Sequence, residues 1–475
     1  MTTIPGPVLI LGLPLTMAVL LQLLRRWTTV TAWLAAVTSV VLGTAVISLP
    51  LTQTWQLGQW QIRLGAPLWV LGREVVLQPV DRLPVTFLFF TAAGIFILAW
   101  RLLPHSNFFP IGLATTALLV GALLVTQVVY AALLVEIAAI LAVFPLHEGS
   151  KQAKGGLRFM TYTSLALPGL MVTQLLLDLY AIFPNDRGLL STSAVLLSLS
   201  FAILLGAFPF QNWLSAVTDD GSPPVVTYIF TMNLGVVWFM LLAYLQSYTW
   251  LSEQAALGSV FNILGLLMMG LGGLLAASQQ RLGRLVGYAT LVDNGAMLLA
   301  LGTQRIGGIA LAGIMLISRP LALGLMTVGL AGLRRLSAGD DDRETLRGAV
   351  WRAPWRTAAF LVGGIALAGF PLSLGFTARW GLYRLIAEQS LFEAAFALLS
   401  SAGVMLGLIS AMRALLAPPP VDKQGRVLGL ALKEDLIVVL LIVVLIGATF
   451  TLSIFPQGIS RVALEMASGY TFFAP

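Results

Sequence analysis

Four ionisable residues stand inside stretches that are otherwise apolar. Glu136 lies in Leu133-Leu-Val-Glu136-Ile-Ala, and Asp293 lies in Thr290-Leu-Val-Asp293-Asn-Gly. Arg319 directly precedes Pro320, and Arg379 follows Pro371-Leu-Ser-Leu-Gly375-Phe-Thr-Ala. A charge in such a setting is expensive, so it marks either an ion pathway or a buried pair. Carboxylates can take up and release a proton, whereas arginine keeps its charge at any ordinary pH. Together they can carry or steer protons. The structural alternative is a protonated acid at Glu136, hydrogen-bonded within a bundle, and an ion pair joining Asp293 to Arg319 or Arg379, where losing one partner would strand the other.

Two of the elements that must position these groups are interrupted. The run Ile365–Trp380 is part of an apolar stretch too long for one straight membrane crossing, with Pro371 near its middle and Gly369, Ser373 and Gly375 on either side. Proline removes a backbone donor and clashes with the preceding turn, which predicts a broken helix. In lipid the freed backbone groups survive only against protein or a wet cavity. A second apolar stretch carries Gly206-Ala-Phe-Pro209-Phe. The two breaks lie five spans apart, an odd offset, so their helices run in opposite directions. That spacing predicts two inverted five-helix repeats with broken helices 7 and 12.

Composition fixes the class. The 475 residues are 58% hydrophobic and 10% charged, with mean hydropathy +0.92. This is an all-α polytopic membrane protein, because its apolar segments run about 20 residues and lack the alternation of a membrane barrel. The net charge of +7 belongs to loops between spans and predicts no nucleic-acid binding. The absence of cysteine excludes thiolate metal sites and cysteine-ligated iron–sulfur clusters, and the presence of only two histidines, His105 and His147, predicts no histidine-rich metal site and no two-histidine haem.

About fourteen spans are expected, with edges good to a few residues: 5–24, 28–49, 83–103, 108–126, 128–146, 157–180, 190–217, 225–245, 256–277, 285–301, 306–333, 358–382, 392–416 and 435–454. The first reads as a retained helix rather than a cleaved leader. A tryptophan-rich stretch between the second and third, with alternation at Trp60–Leu64, predicts a short extramembrane hairpin. Asp219–Pro224 reads as a solvated turn, and the run around Asp340-Asp341-Asp342 as a solvated loop. With the N-terminus outside, most of the 27 Lys and Arg residues fall in inward loops, among them Arg25, Arg26, Lys151, Lys154, Arg334, Arg335, Arg343, Lys423, Arg426 and Lys433. The positive-inside rule then places both termini on the outer side. A single membrane domain over 1–475 is expected. It comprises N-terminal helices and hairpin (1–106), a first repeat (107–247), a second repeat (256–416) and a C-terminal helix (417–475).

The chain resembles the antiporter-like membrane subunits of complex I (NAD(P)H–quinone oxidoreductase), Mrp-type cation/proton antiporters and membrane-bound hydrogenases. Its length is similar to the N-type or M-type subunits. The segments that carry the likeness are Leu133–Ala138, Arg158-Phe-Met-Thr-Tyr, Ala207-Phe-Pro209-Phe-Gln211-Asn-Trp213-Leu, Gly287–Gly295 and Leu367–Trp380. The resemblance implies proton movement along buried lysines, a glutamate and water. It also implies a non-catalytic subunit of a translocase with no redox cofactor of its own, set among other membrane subunits in a prokaryotic plasma membrane or a thylakoid membrane. Within it, Glu136 would be the coupling carboxylate, with Arg158 as its partner or as a surface anchor. Gln211 and Asp293 would be hydrating groups, Arg319 an interior ion-pair member and Arg379 a fixed charge. The usual central lysines are replaced: Leu204, Asn233 and Arg379 align where lysine or histidine is usual, and Gln211 where histidine is. A subunit that conveys protons, one that keeps only the fold and its interfaces, and a subunit of an Mrp-type antiporter or a hydrogenase all fit this pattern.

Overall fold

The structure is a computed structural model. It describes residues 3–57, 60–70, 72–103, 106–148, 154–183, 186–252, 255–418 and 434–473. His105, Lys151, Lys423, Arg426 and Lys433 lie outside the described residues.

The chain divides into two compact units. Unit 1 comprises 1–206, 228–253 and 469–472. It opens with strand β1 (Thr3–Pro5) and helices α1 (Gly6–Leu23) and α2 (Thr28–Ser48). The tryptophan-rich stretch folds into β2 (Trp55–Leu57), β3 (Trp60–Arg63), β4 (Leu68–Val70) and β5 (Arg73–Val75). β3 pairs antiparallel with β2, as its alternation predicts, and β4 pairs with β5. β3 also takes β1 as a parallel partner. Helices α3 (Arg82–Leu102), α4 (Phe108–Leu124), α5 (Val128–His147), α6 (Lys154–Ile182) and α7 (Arg187–Leu205) follow. α2 packs on α3, α4 on α1 and α5, and α6 on α5 and α7. Arg82 explains how α2 ends where it does. Its Nε donates to the Val46 carbonyl (2.8 Å), and its Nη2 donates to those of Ile47 (2.6 Å) and Leu49 (2.9 Å). Those acceptors sit at the negative end of the α2 dipole, where a cation is favoured.

Unit 2 comprises 207–227, 254–468 and 473–475. It holds α8 (Asn212–Asp220) and most of α9 (Pro223–Tyr228). The α9 helix runs on through a π-helical turn, Ile229–Asn233, into α10 (Leu234–Ser247), which together with the short α11 (Thr249–Ser252) is part of unit 1. Unit 2 continues with α12 (Ala255–Ser278), α13 (Leu282–Gly302), α14 (Ile306–Leu336), α15 (Pro354–Ala368), α16 (Leu374–Ala387), α17 (Leu391–Leu415), α18 (Leu436–Ile454) and α19 (Gln457–Ser468). α12 packs on α13 and α17, and α14 on α15 and α19. The division into units falls inside the 107–247 segment that the sequence groups as one repeat.

Helix occupies all fourteen expected ranges among the described residues. Among the described residues, twelve helices are long and apolar enough to cross a membrane. Phe108–Leu124 is apolar but shorter, and the twelfth range is split between α15 and α16. The chain is an integral membrane protein. Two loops differ from expectation. Asp341 is buried rather than solvated. Its Oδ2 accepts from Arg334 Nε (3.0 Å) and Nη2 (2.6 Å), and from the Gly283 backbone N–H (3.2 Å) at the start of α13. Asp219 is likewise engaged: it accepts from Arg284 Nε at 3.0 and 2.7 Å. Asp341 thus closes the N-terminus of α13, where an anion is favoured, and Asp219 ties the end of α8 to Arg284 of α13.

Candidate functional site: helix breaks and buried charges

Glycine, rather than proline, ends each broken helix. α7 stops at Gly206 (φ 70°) and α15 at Gly369 (φ 72°), both left-handed C-caps. An L side chain is disfavoured in that region, so glycine is the residue that permits the turn. Pro209 and Pro371 then sit in the gaps before α8 and α16 and keep the helices from resuming at once. In the second gap Leu372 also takes a positive φ of 66°, which a branched side chain adopts at a cost of about 1–2 kcal/mol. It is 67% exposed.

Arg379, in the second turn of α16, is packed over that break. A Cβ built on Gly369 would lie 2.2 Å from Arg379 Cγ. Arg379 Nη2 donates to Asp293 Oδ1 at 3.0 Å. The other oxygen, Oδ2, accepts from Arg319 Nε (2.8 Å) and Nη2 (2.7 Å). Arg319 Nη2 also reaches Met297 Sδ at 3.0 Å. Arg319 and Arg379 are each 1% exposed and Asp293 4%. One carboxylate on α13 thus joins an arginine from α14 and one from α16. One carboxylate against two guanidiniums gives the cluster a formal net charge of +1, and Arg379 Nη1 has no hydrogen-bond partner among the described residues.

The sequence allows Arg319 or Arg379 as the partner of Asp293. The structure uses both, because Asp293 presents one oxygen to each. Gln211 is the residue before α8, and its Oε1 is buried without a partner.

In unit 1, Glu136 Oε1 accepts from the Ser164 hydroxyl on α6, and its Oε2 is buried without a partner. Glu136 itself is only partly buried. Arg158, weighed as its partner, is exposed and lies nearly two turns before Ser164 on the same helix. The Ser164 hydroxyl therefore takes the place expected of a cation. Leu204 is buried in the last turn of α7. Asn233 is 4% exposed and closes the π-helical turn, with its Oδ1 unpartnered. The π turn left no signal in the sequence beyond the apolar run around it, although such turns recur at functional sites.

A family profile described as "NADH:quinone oxidoreductase/Mrp antiporter, TM" matches residues 159–410, more than half of the chain. NADH-quinone oxidoreductase subunit N of Psychrobacter arcticus is 28% identical over 237 residues, 49% of this chain and 47% of that protein. Its namesake from Chromohalobacter salexigens is 30% identical over 192 residues, 39% of each. The match thus spans about half or less of these curated relatives. Among solved structures, a chain of the Mrp complex from Dietzia sp. DQ12-45-1b shares the fold with TM-score 0.81 and 16% identity over 98% of this chain and 97% of that one. A chain of respiratory complex I from Thermus thermophilus shares it with TM-score 0.76 and 19% identity over 99% of this chain and 100% of that one. At these identities the two structures speak for the fold alone, and the profile speaks for descent: the chain belongs to the NADH:quinone oxidoreductase/Mrp antiporter transmembrane family.

Proposed function

We propose that this chain is an antiporter-like membrane-arm subunit of a complex I-type oxidoreductase, and that unit 2 contributes fixed charge rather than a proton relay. The observation that carries this reading is the Asp293 cluster. Both of its cations are arginines, which do not release protons in the neutral range, and their contacts occupy both oxygens of the only carboxylate present. A charge locked in this way can raise or lower the energy of a proton elsewhere in an assembly without moving one itself. Leu204, where the family resemblance implies lysine, supports the same reading for α7.

The proposed setting has fourteen crossings, two inverted five-helix repeats spanning 107–247 and 256–416, and both termini on the outer face. The inward bias of basic loops supports that orientation. The chain would hold no redox cofactor and would work against other membrane subunits of its complex, in a prokaryotic plasma or thylakoid membrane.

A second reading rests on Glu136. Its single hydroxyl partner and unpartnered Oε2 leave it free to load and unload a proton, which would make unit 1 a proton-handling half. Replacing Glu136 by Gln in the reconstituted complex and measuring ions moved per electron decides between the two. Fixed-charge coupling predicts unchanged stoichiometry, whereas a fall in stoichiometry with electron transfer intact refutes it and assigns a proton to Glu136.

A further inference from the structure

A cavity of about 50 Å³ opens within unit 1, at the ends of its helices that lie beside the β4–β5 hairpin. Its polar lining consists of Asp81, Thr126, Ser247 and Tyr470, set among apolar residues such as Phe239 and Met240. Asp81 ends a 3-10 turn, Pro79–Asp81, just before α3. One of its oxygens accepts a single hydrogen bond, from the Gln78 backbone N–H at 3.2 Å. No ion pair of Asp81 falls among the described residues, and the arginines beside it are engaged elsewhere. Arg82 is turned onto the α2 carbonyls, and Arg73 lies on Tyr130, with Nε 3.3 Å from its hydroxyl. Glu74, on the hairpin, offers its backbone carbonyl to Thr126. Tyr470 is 3% exposed, and its hydroxyl has no hydrogen bond among the described residues. Burial first, and the Asp81 charge second, push its phenol well above the usual range.

We propose that this cavity is a binding site for a monovalent cation, hydronium or sodium, with the Asp81 carboxylate as its charged ligand. The donors are one carboxylate and three hydroxyls, a hard all-oxygen set that excludes soft metals. A single negative charge with no lysine, arginine or histidine in the lining is neutralised by one positive charge. The volume holds roughly three to five waters at about 10–15 Å³ each. That is enough for a partly hydrated ion and far too little for a quinone or another drug-sized molecule. An unpaired carboxylate in such surroundings is costly, and capture of a cation or proton relieves the cost. The site is independent of the Asp293 cluster, which lies in unit 2.

Infrared difference spectroscopy on the intact complex tests this, with Asp81→Asn as the reference. Replacing choline by sodium at fixed pH is expected to shift the wild-type carboxylate band if the ion is sodium. In sodium-free buffer, a pH change confined to the neutral range, where an ordinary carboxylate stays ionised, is expected to convert that band to a carboxylic acid band if the ion is a proton delivered from hydronium. Either response, absent in Asp81→Asn, supports the site and names the ion. A band insensitive to both overturns it. Should Asp81→Asn fail to assemble, Tyr470→Phe carries the test. Loss of one neutral oxygen ligand is expected to move the midpoint of the responsive titration by about fivefold, and an unmoved midpoint overturns the proposal.

Discussion

Asp293→Asn is the sharpest test of the buried cluster. The substitution keeps the shape of the side chain, so it opens no cavity and the effect is electrostatic. It removes the charge that compensates both Arg319 and Arg379, whose contacts with Asp293 span 2.7–3.0 Å. Each guanidinium is 1% exposed, so neither can turn to water. Removing one partner of a buried ion pair typically costs about 3–5 kcal/mol. Here one change strands two cations, which places the expected loss near the top of that range. Equilibrium unfolding of the subunit in mixed micelles measures it, and a loss below about 1 kcal/mol would refute the argument. The converse is a triple change, Asp293→Leu with Arg319→Met and Arg379→Met. Apolar replacement of a whole buried cluster is often neutral or stabilising, so stability should return while ion movement per electron falls. If pumping also returned, the cluster would be a structural clamp and the fixed-charge function would be wrong.

Gly369→Ala should cost more than the about 1–2 kcal/mol of forcing an alanine into the left-handed region, because it also drives a methyl to within 2.2 Å of Arg379 Cγ. Unfolding free energies check this, and a loss confined to that range would mean that Arg379 moves aside freely. Arg82→Gln should cost about 1–3 kcal/mol, through loss of charge-assisted bonds to three carbonyls at the end of α2. Faster hydrogen exchange confined to the last turn of α2 would accompany it.

Much of the architecture was legible because lipid narrows the choices. An apolar run of about 20 residues can only be a helix, so the helical ranges follow from hydropathy to within a few residues, except where 190–217 and 358–382 run across the breaks. The breaks were legible from Pro209 and Pro371, yet the glycines before them are what end the helices. Proline advertises a break in any context, whereas a left-handed glycine declares itself only once the backbone is known. The parallel pairing of Thr3–Pro5 with Gln61–Arg63 was out of reach for a related reason. It joins residues nearly sixty positions apart, and alternation reports a strand without naming its partner.

The candidate site divides along the same line. Sequence singled out Asp293, Arg319 and Arg379 because charge is conspicuous among apolar residues, and all three meet. It offers Arg158 as a partner of Glu136 or as a surface anchor, because the cation that the resemblance implies beside Glu136 is missing. The helix turns Ser164 to that carboxylate instead, leaving Arg158 exposed. Asp81 drew no notice, since a carboxylate at a helix entrance looks like a cap. Only the fold, by bringing Thr126, Ser247 and Tyr470 around it, turns that cap into a place where a cation can reside. Buried charge is therefore informative in two different ways. In Asp293 it is satisfied to the last oxygen by groups that cannot titrate, which suits a permanent field. In Asp81 it is left nearly unpaired beside a small polar cavity, which suits exchange. In the proposed assembly a subunit without lysine at Leu204 and Asn233 can contribute through either property, and the infrared and stoichiometry measurements address them separately.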